Sequence, residues 1–513
     1  MHEAVAEPSA STSVVHRDRS RSLLIVAFVV AATVSAVTIH AHTMWFDELE
    51  AWNVARVSHS LPDLVGNLRY EGHPVLWYLP LYSLTRFTGD PRAMQVLGWL
   101  ITVATFAVVL FRSPFPVPAR IAIVAGYFFA FEYSVMVRGY GLGLLLLVLA
   151  LTWMARERPA WGKAGVALAL LAWTCAAGAV LAGAIVTVIG WRWWTATRDL
   201  ASLTCAAAVI GSAAVSGVTC IPPGDFHSFS LGIPNSSSAY GPARIAAALG
   251  GPWRGLVPVP RGVGGWNTNI VDQLPATVWV QALISLAVVV LVARVLRPHG
   301  TARWLWIVGV AGYVVFSALV VLPDRAHYAG EFFLLFLACA WLAFAPPGQR
   351  APTSTSTKQV SSTLMAVLVV VLAAQIVATA AVLPQATVLP FAPDRALAHA
   401  ATDAGLERDV VSGQDFDGVT MAGYLDRAVY SIARGGPIRF FPNDEREARG
   451  NVGLTPDRLV CAAAKVARDR GWAVALVVDK RLPTPAGVRA LANEQGVRLY
   501  RVAPDTDVAE VCA

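Results

Sequence analysis

Long apolar runs decide what this chain can fold into. They lie near residues 22–40, 93–111, 119–135, 139–155, 162–175, 177–191, 200–220, 275–294, 303–322, 328–345 and 362–384. Most approach the roughly 20 apolar residues that a helix needs to cross a bilayer. Lipid offers no partner to backbone N–H and C=O groups, so such runs must satisfy them internally, as helices. The reading is a polytopic α-helical membrane protein of about eleven transmembrane helices. Composition agrees, since 56% of the 513 residues are hydrophobic and only 14% charged.

Charge placement orients the spans. The polar tail 1–21 ends in His16-Arg17-Asp18-Arg19-Ser20-Arg21, which predicts an uncleaved first helix with its N-terminus in the cytoplasm. Val75 to Phe87 is too short to span comfortably and is read as staying outside. Arg112 and Arg120, Arg156 and Arg158, Arg192 and Arg198, Arg294 and Arg303, then Arg350 and Lys358 all fall in cytoplasmic loops on that register. The expected organisation is a transmembrane core at 22–345 with outer loops at 41–92 and 221–274, a cytoplasmic linker at 346–361 and a last span at 362–384. An odd number of spans leaves 385–513 on the extracytoplasmic side of the plasma (inner) membrane.

Beyond Pro384 the pattern changes to short β-branched runs at Val410–Ser412, Val429–Tyr430, Ile438–Phe441, Val474–Val478 and Val497–Tyr500. Helical stretches near 418–426, 455–470 and 486–495 alternate with them, which predicts a small α/β domain. Cys461 and Cys512 both fall in it and form a candidate disulfide in an oxidising compartment. No cysteine or histidine spacing suggests zinc, and the net charge of +7 is accounted for by loop arginines rather than a nucleic-acid surface.

Acids and bases gather at the outer helix ends. Asp47, Glu48 and Glu50 are followed by Arg69, Glu71 and His73; Glu132 and Arg138 with Tyr140 flank the next outer turn; Asp225, His227 and Asp272 lie in the long loop; Asp324, Arg325 and His327 precede a later span, which contains Glu331. Trp45, Leu49 and Trp52 recur at helical spacing, so their segment is expected to lie along the interface as an amphipathic helix with its indoles among the headgroups. Asp47 and Glu48 then occupy a first helical turn, where the dipole favours ionised carboxylates. Such residues also serve simply as good helix starters. A sugar on a lipid phosphate needs cations on its leaving group and one base for the acceptor hydroxyl. Asp47 suits the base, and Arg138, Arg325 and His327 suit the phosphate. Arg138, Arg325 and His327 equally suit headgroup anchoring, and Glu71 and His73 suit loop bracing with Arg69. Gly139, Gly141 and Gly143 lie in an apolar helix with no preceding strand, which reads as close helix packing rather than a nucleotide loop.

Three motifs carry a family resemblance: Phe46-Asp47-Glu48 in the first outer loop, His73-Pro74 before an aromatic run, and Arg138-Gly139-Tyr140 entering a later span. Over residues 20–345 they resemble the GT-C superfamily of polytopic glycosyltransferases, in the style of the bacterial dolichyl-phosphate-mannose mannosyltransferase-like (glycosyltransferase family 39-like) and lipid A aminoarabinose transferase types. The resemblance implies transfer from a polyprenyl-phosphate sugar donor, usually inverting, to an envelope glycan, lipid or protein acceptor. It implies catalysis by Asp47 with Glu48 beside it, donor phosphate contacts from Arg138 and Tyr140, and in some members a divalent metal such as Mg or Mn, here at Asp47 with Glu71 or Glu132. The sequence departs from many relatives in having His73-Pro74-Val75 rather than His-Pro-Pro, which leaves the acceptor open. The 385–513 domain lies outside the resemblance, with an acceptor-binding or a capping role equally open. A flippase or transporter of lipid-linked glycans and a non-catalytic membrane scaffold are the alternatives. Charges at helix ends rather than at the bilayer midplane tell against transport.

Overall fold

The computed structural model describes residues 10–226, 241–262, 277–323, 325–345, 356–450 and 453–512. His227, Asp272, Asp324 and most of the expected linker 346–361 lie outside them. Among the described residues, eight helices are long and apolar enough to cross a membrane: Arg19–Ala41, Arg92–Arg112, Ala176–Ala196, Leu200–Thr219, Thr277–Val295, Gly300–Leu319, Ala326–Phe344 and Ser362–Val388. Two more apolar helices, Gly139–Met154 and Trp161–Leu171, are shorter.

The difference from the expected eleven arises at the three most irregular runs. The 119–135 run is broken into a helix at Val117–Val124 and a π-turn at Phe128–Glu132. The helices at 139–154 and 161–171 are short, and Gly139 and Thr174 press together: a Cβ on Gly139 would stand 2.6 Å from the Thr174 carbonyl oxygen. This is the tight packing expected of Gly139, Gly141 and Gly143. Val75 to Phe87 contributes only the seven-residue helix Tyr78–Leu84, about 10 Å long and too short to span.

The C-terminal region forms a six-stranded sheet in the order β3-β2-β1-β4-β6-β5. Its strands are β1 (Val410–Ser412), β2 (Val429–Ser431), β3 (Gly436–Ile438), β4 (Val474–Val478), β5 (Val488–Glu494) and β6 (Val497–Val502). β1 pairs in parallel with β2 and β4, and the outer strands pair antiparallel. Alternation along the strands sends Val410, Ala475 and Val477 to the helices Asp394–Asp403 and Asp415–Leu425, and Val411, Leu476 and Val478 to the helix Pro456–Arg470. Cys461 on that last helix is bonded to Cys512.

Two local expectations are corrected. The 486–495 stretch is β5, not a helix, because Gln495 and Gly496 both take positive φ (49° and 93°) and turn the chain into a hairpin with β6. The strand expected over Ile438–Phe441 ends at Ile438. Phe440 and Phe441 leave the sheet and pack toward the first outer loop.

That contact places the end of Arg19–Ala41 and the end of Ser362–Val388 on one side, since each leads directly into one of the two touching regions. Both helices therefore run the same way.

Candidate active site

The first outer loop opens with the helix Phe46–Val57, here the Asp47 helix. Trp45, Leu49 and Trp52 were expected to meet headgroups. Instead Leu49 and Trp52 are 0% and 1% exposed, because protein covers the helix on both flanks. Its first turn is held by Glu48, whose Oε2 accepts hydrogen bonds from the Trp45 N–H (3.1 Å) and from His42 Nε2 (2.7 Å). Glu48 Oε1 accepts the Val137 N–H at 2.8 Å. Both carboxylate oxygens of this fully buried residue are thus occupied. Glu48 pins together the end of the first span, the start of the helix and the segment leading to Arg138.

Asp47 and Arg138 meet as a result, with Arg138 Nη1 2.6 Å from Asp47 Oδ2. The Asp47 side chain remains 26% exposed, against 14% for Arg138, so the carboxylate is the more reachable partner. Burial raises the Asp47 pKa, and the charges of Arg138 and Arg325 oppose that rise. The Arg138 guanidinium lies 5.4 Å from the centroid of the Tyr140 ring. Tyr140 in turn lies 5.4 Å from His327, whose ring is 4.1 Å from that of Tyr328.

Behind Asp47 stands a second acidic pair. Burial, then the charge of Glu71, pushes the Glu50 carboxyl well above the usual carboxylate range, and burial pushes Glu71 up to about 7. Glu50 Oε2 and Glu71 Oε1 are both buried without a hydrogen-bond partner. His73 beside them is brought down to about 4 by burial and by the Arg138 charge, so its imidazole is neutral at neutral pH.

These groups surround a small cleft lined by Asp47, His73, Tyr78, Arg138, Tyr140 and Cys175, among others. A small neighbouring chamber shares Tyr140 and Cys175 and is otherwise walled chiefly by Leu144, Leu147, Leu171 and Leu334, with Glu331 in its wall. A charged cleft thus adjoins an apolar chamber set among membrane helices.

The other expected residues separate from this centre. Arg69 donates from Nε to the Ile221 carbonyl oxygen (2.9 Å), and the neighbouring Tyr70 hydroxyl donates to Asp225 (3.1 Å), so this stretch straps the long loop. Glu132 is buried in the helical bundle and accepts the Tyr127 hydroxyl at 3.0 Å. Arg325 caps the helix Ala326–Phe344 and reaches Asp47 through its charge. Among the described residues no group of three or more His, Cys, Asp or Glu side chains is placed to hold a metal ion, and Asp47 faces the Arg138 cation.

The sequence placed Glu50 in the acidic cluster without a role of its own and did not bring in Tyr78 or Cys175. Glu50 had a usable signal: it follows Asp47 at i+3, so both carboxylates project from neighbouring rows of one helix. Tyr78 and Cys175 had none, being remote in sequence and unremarkable in type.

Fold and site together define a multi-pass membrane protein with an acid–cation cleft at its helix ends, covered by an α/β domain. No protein-family model matches the chain, and no curated protein does. Among solved structures it is similar to the arabinofuranosyltransferase AftD from Mycobacteria, with 16% identity over 94% of this chain and 40% of that one and a TM-score of 0.36. A mutant form of AftD gives 15% identity, 95% and 42% coverage and a TM-score of 0.32. The chain therefore spans about two fifths of the length of the structures it matches. AftD is by name an arabinofuranosyltransferase.

Proposed function

We propose that this protein is a membrane glycosyltransferase of the GT-C type that moves a sugar from a polyprenyl-phosphate donor to an acceptor hydroxyl on the extracytoplasmic face. The observation that carries the reading is the Asp47–Arg138 pair, a reachable carboxylate 2.6 Å from a guanidinium at the mouth of a cleft that adjoins an apolar chamber. A lipid-linked sugar phosphate has matching parts: an apolar chain for the chamber, an anionic phosphate for Arg138, and a sugar for the cleft.

In the reaction the acceptor oxygen forms a bond to the anomeric carbon as the bond from that carbon to the phosphate oxygen breaks. The electron pair leaves with the polyprenyl phosphate, and the acceptor proton passes to Asp47. Attack opposite the leaving group inverts the anomeric centre. Donor phosphate draws Arg138 away from Asp47, which frees the carboxylate as base and places the cation where negative charge develops. Arg325, His327 and Tyr140 complete the phosphate side. Glu48 acts by holding Asp47 and Arg138 in register, and Glu71, with Glu50, forms the wall behind the sugar.

The segments at 117–132, 139–154 and 161–171 pass the membrane as well, which restores the odd total of eleven. Arg138, Gly139, Thr174 and Cys175 at their ends line the same cleft as Asp47, as alternating passes require. The test is sugar release from a panel of synthetic polyprenyl-phosphate monosaccharides by purified protein in nanodiscs, with and without an envelope acceptor extract. Turnover of one donor by wild type and none by Asp47→Asn is expected. Binding without turnover under every acceptor condition would sink the reading and favour a transporter or scaffold.

A further inference from the structure

One face of the Asp47 helix is held by the C-terminal domain at every turn. The Tyr424 hydroxyl donates to the Met44 carbonyl oxygen at 3.0 Å, just before the helix begins. The Phe46 ring lies 4.0 Å from that of Phe416 and 6.0 Å from that of Phe441. One turn on, the Phe441 N–H donates to Glu50 Oε1 at 2.7 Å. Asn53 Nδ2 then donates to the Val419 carbonyl oxygen at 2.8 Å. In the last turn Arg56 forks onto Asp426 at 3.0 and 2.8 Å, and Arg439 holds the same carboxylate at 2.9 Å. Between these bonds the backbones close up, and a Cβ on Gly423 would stand 3.1 Å from the Leu49 Cβ.

Residues 46, 50 and 53 share a helical stripe, while Asp47 and Ala51 on the adjoining stripe line the cleft. A twelve-residue helix is marginal on its own, so its axis follows whatever grips it. Catalytic geometry tolerates displacements of only about 0.5 Å. Asp426 is suited to the far end of the ladder because it sits at φ 50°, closing the docking helix Asp415–Leu425, with its carboxylate shared between arginines of both regions.

We propose that the C-terminal domain is a positioning device for catalysis. It sets the Asp47 helix, and with it the carboxylate of Asp47, against Arg138, and Asp426 is the positioning residue that locks the helix's far end. The inference rests on the reading of Asp47 as base. It assigns the domain a task distinct from acceptor binding or simple covering.

The test compares wild type with Asp426→Asn, which keeps the left-handed backbone accessible and removes the charge, and with Asn53→Ala, which cuts a different rung. Each is purified as the full chain in nanodiscs. Measurements are kcat and KM for the donor, thermal midpoint, and hydrogen exchange of residues 46–57 and of β4. Asp426→Asn is expected to lower kcat roughly 10-fold and Asn53→Ala about threefold, with donor KM within about twofold. Exchange should quicken in 46–57 and stay unchanged in β4. Unchanged kcat in both variants, or kcat falling only in step with the amount of folded protein, overturns the inference while the transferase reading stands. If Asp426→Asn fails to fold, Asn53→Ala decides alone by the same criteria. A wild type that turns over no donor, or an Asp47→Asn as active as wild type, overturns the reading and the inference with it.

Discussion

On its cleft side the Asp47 helix carries a carboxylate that is paired with one cation and still 26% exposed; on its domain side Glu50, Asn53 and Arg56 are bonded to partners 366 to 391 residues away. Both sides use the same chemistry of charge and amide. The cleft side leaves a charge within reach of a substrate, which a site needs in order to react. The domain side commits its polar groups to fixed partners, which a support needs in order to stay still. Glu48 shows the second pattern on a residue adjacent to the first: its oxygens are filled by His42, Trp45 and Val137, although it sits next to Asp47 in sequence.

The sharpest break between the two sides is Asp47→Asn, expected to cut transfer by at least about 10³-fold while leaving the melting midpoint near wild type. An assay of turnover beside a thermal melt checks both halves. Next, Arg138→Gln should lower kcat/KM roughly 10²-fold through lost phosphate stabilisation. It should also move the acid limb of the pH–rate profile to higher pH. Asp47 must be ionised to act, Arg138 lowers its pKa, and removing that charge makes protonation easier. An acid limb that stays in place would separate Asp47 from the base role.

Glu71 and His73 sharpen the comparison through stability. Glu71 titrates at about 7 in the folded protein against an ordinary 4.5, so stability falls as pH rises from 4.5 to 7. His73 titrates at about 4 against 6.5, so stability falls as pH drops from 6.5 to 4. The two slopes oppose each other between 4.5 and 6.5. Measured as the difference from wild type, Glu71→Gln should remove a fall in stability between pH 4.5 and 7 and His73→Gln a rise between pH 4 and 6.5, each on the order of 3 kcal/mol at most. The smallest effect on activity is expected from Cys512→Ser. Its bond to Cys461 lies on the sheet face away from the Asp47 helix, so the midpoint should fall with kcat unchanged per folded molecule.

The sequence by itself determined what depends on local composition and period. The long apolar runs became helices because lipid leaves backbone groups no other partner, and the alternating β-branched runs after Pro384 became most of a sheet. Asp47 and Arg138 were legible because charges at apolar helix ends are costly and stand out; Cys461 and Cys512 were legible as the cysteine pair of one small domain. The hairpin at 488–502 was not, since Gln495-Gly496 is a less familiar turn than Asn-Gly and β5 carries Glu, Asn and Arg on an edge. Leu49 and Trp52 gave the pattern of a membrane-surface helix, because a helical stripe shows that a face is covered without showing what covers it. Tertiary structure alone decided that the covering is protein, that Glu50 meets Glu71 and Phe441, and that Glu48 braces while Asp47 stays open. Those outcomes depend on docking between separate segments, as far apart as the 391 residues from Glu50 to Phe441, where contact is set by the shape of both surfaces.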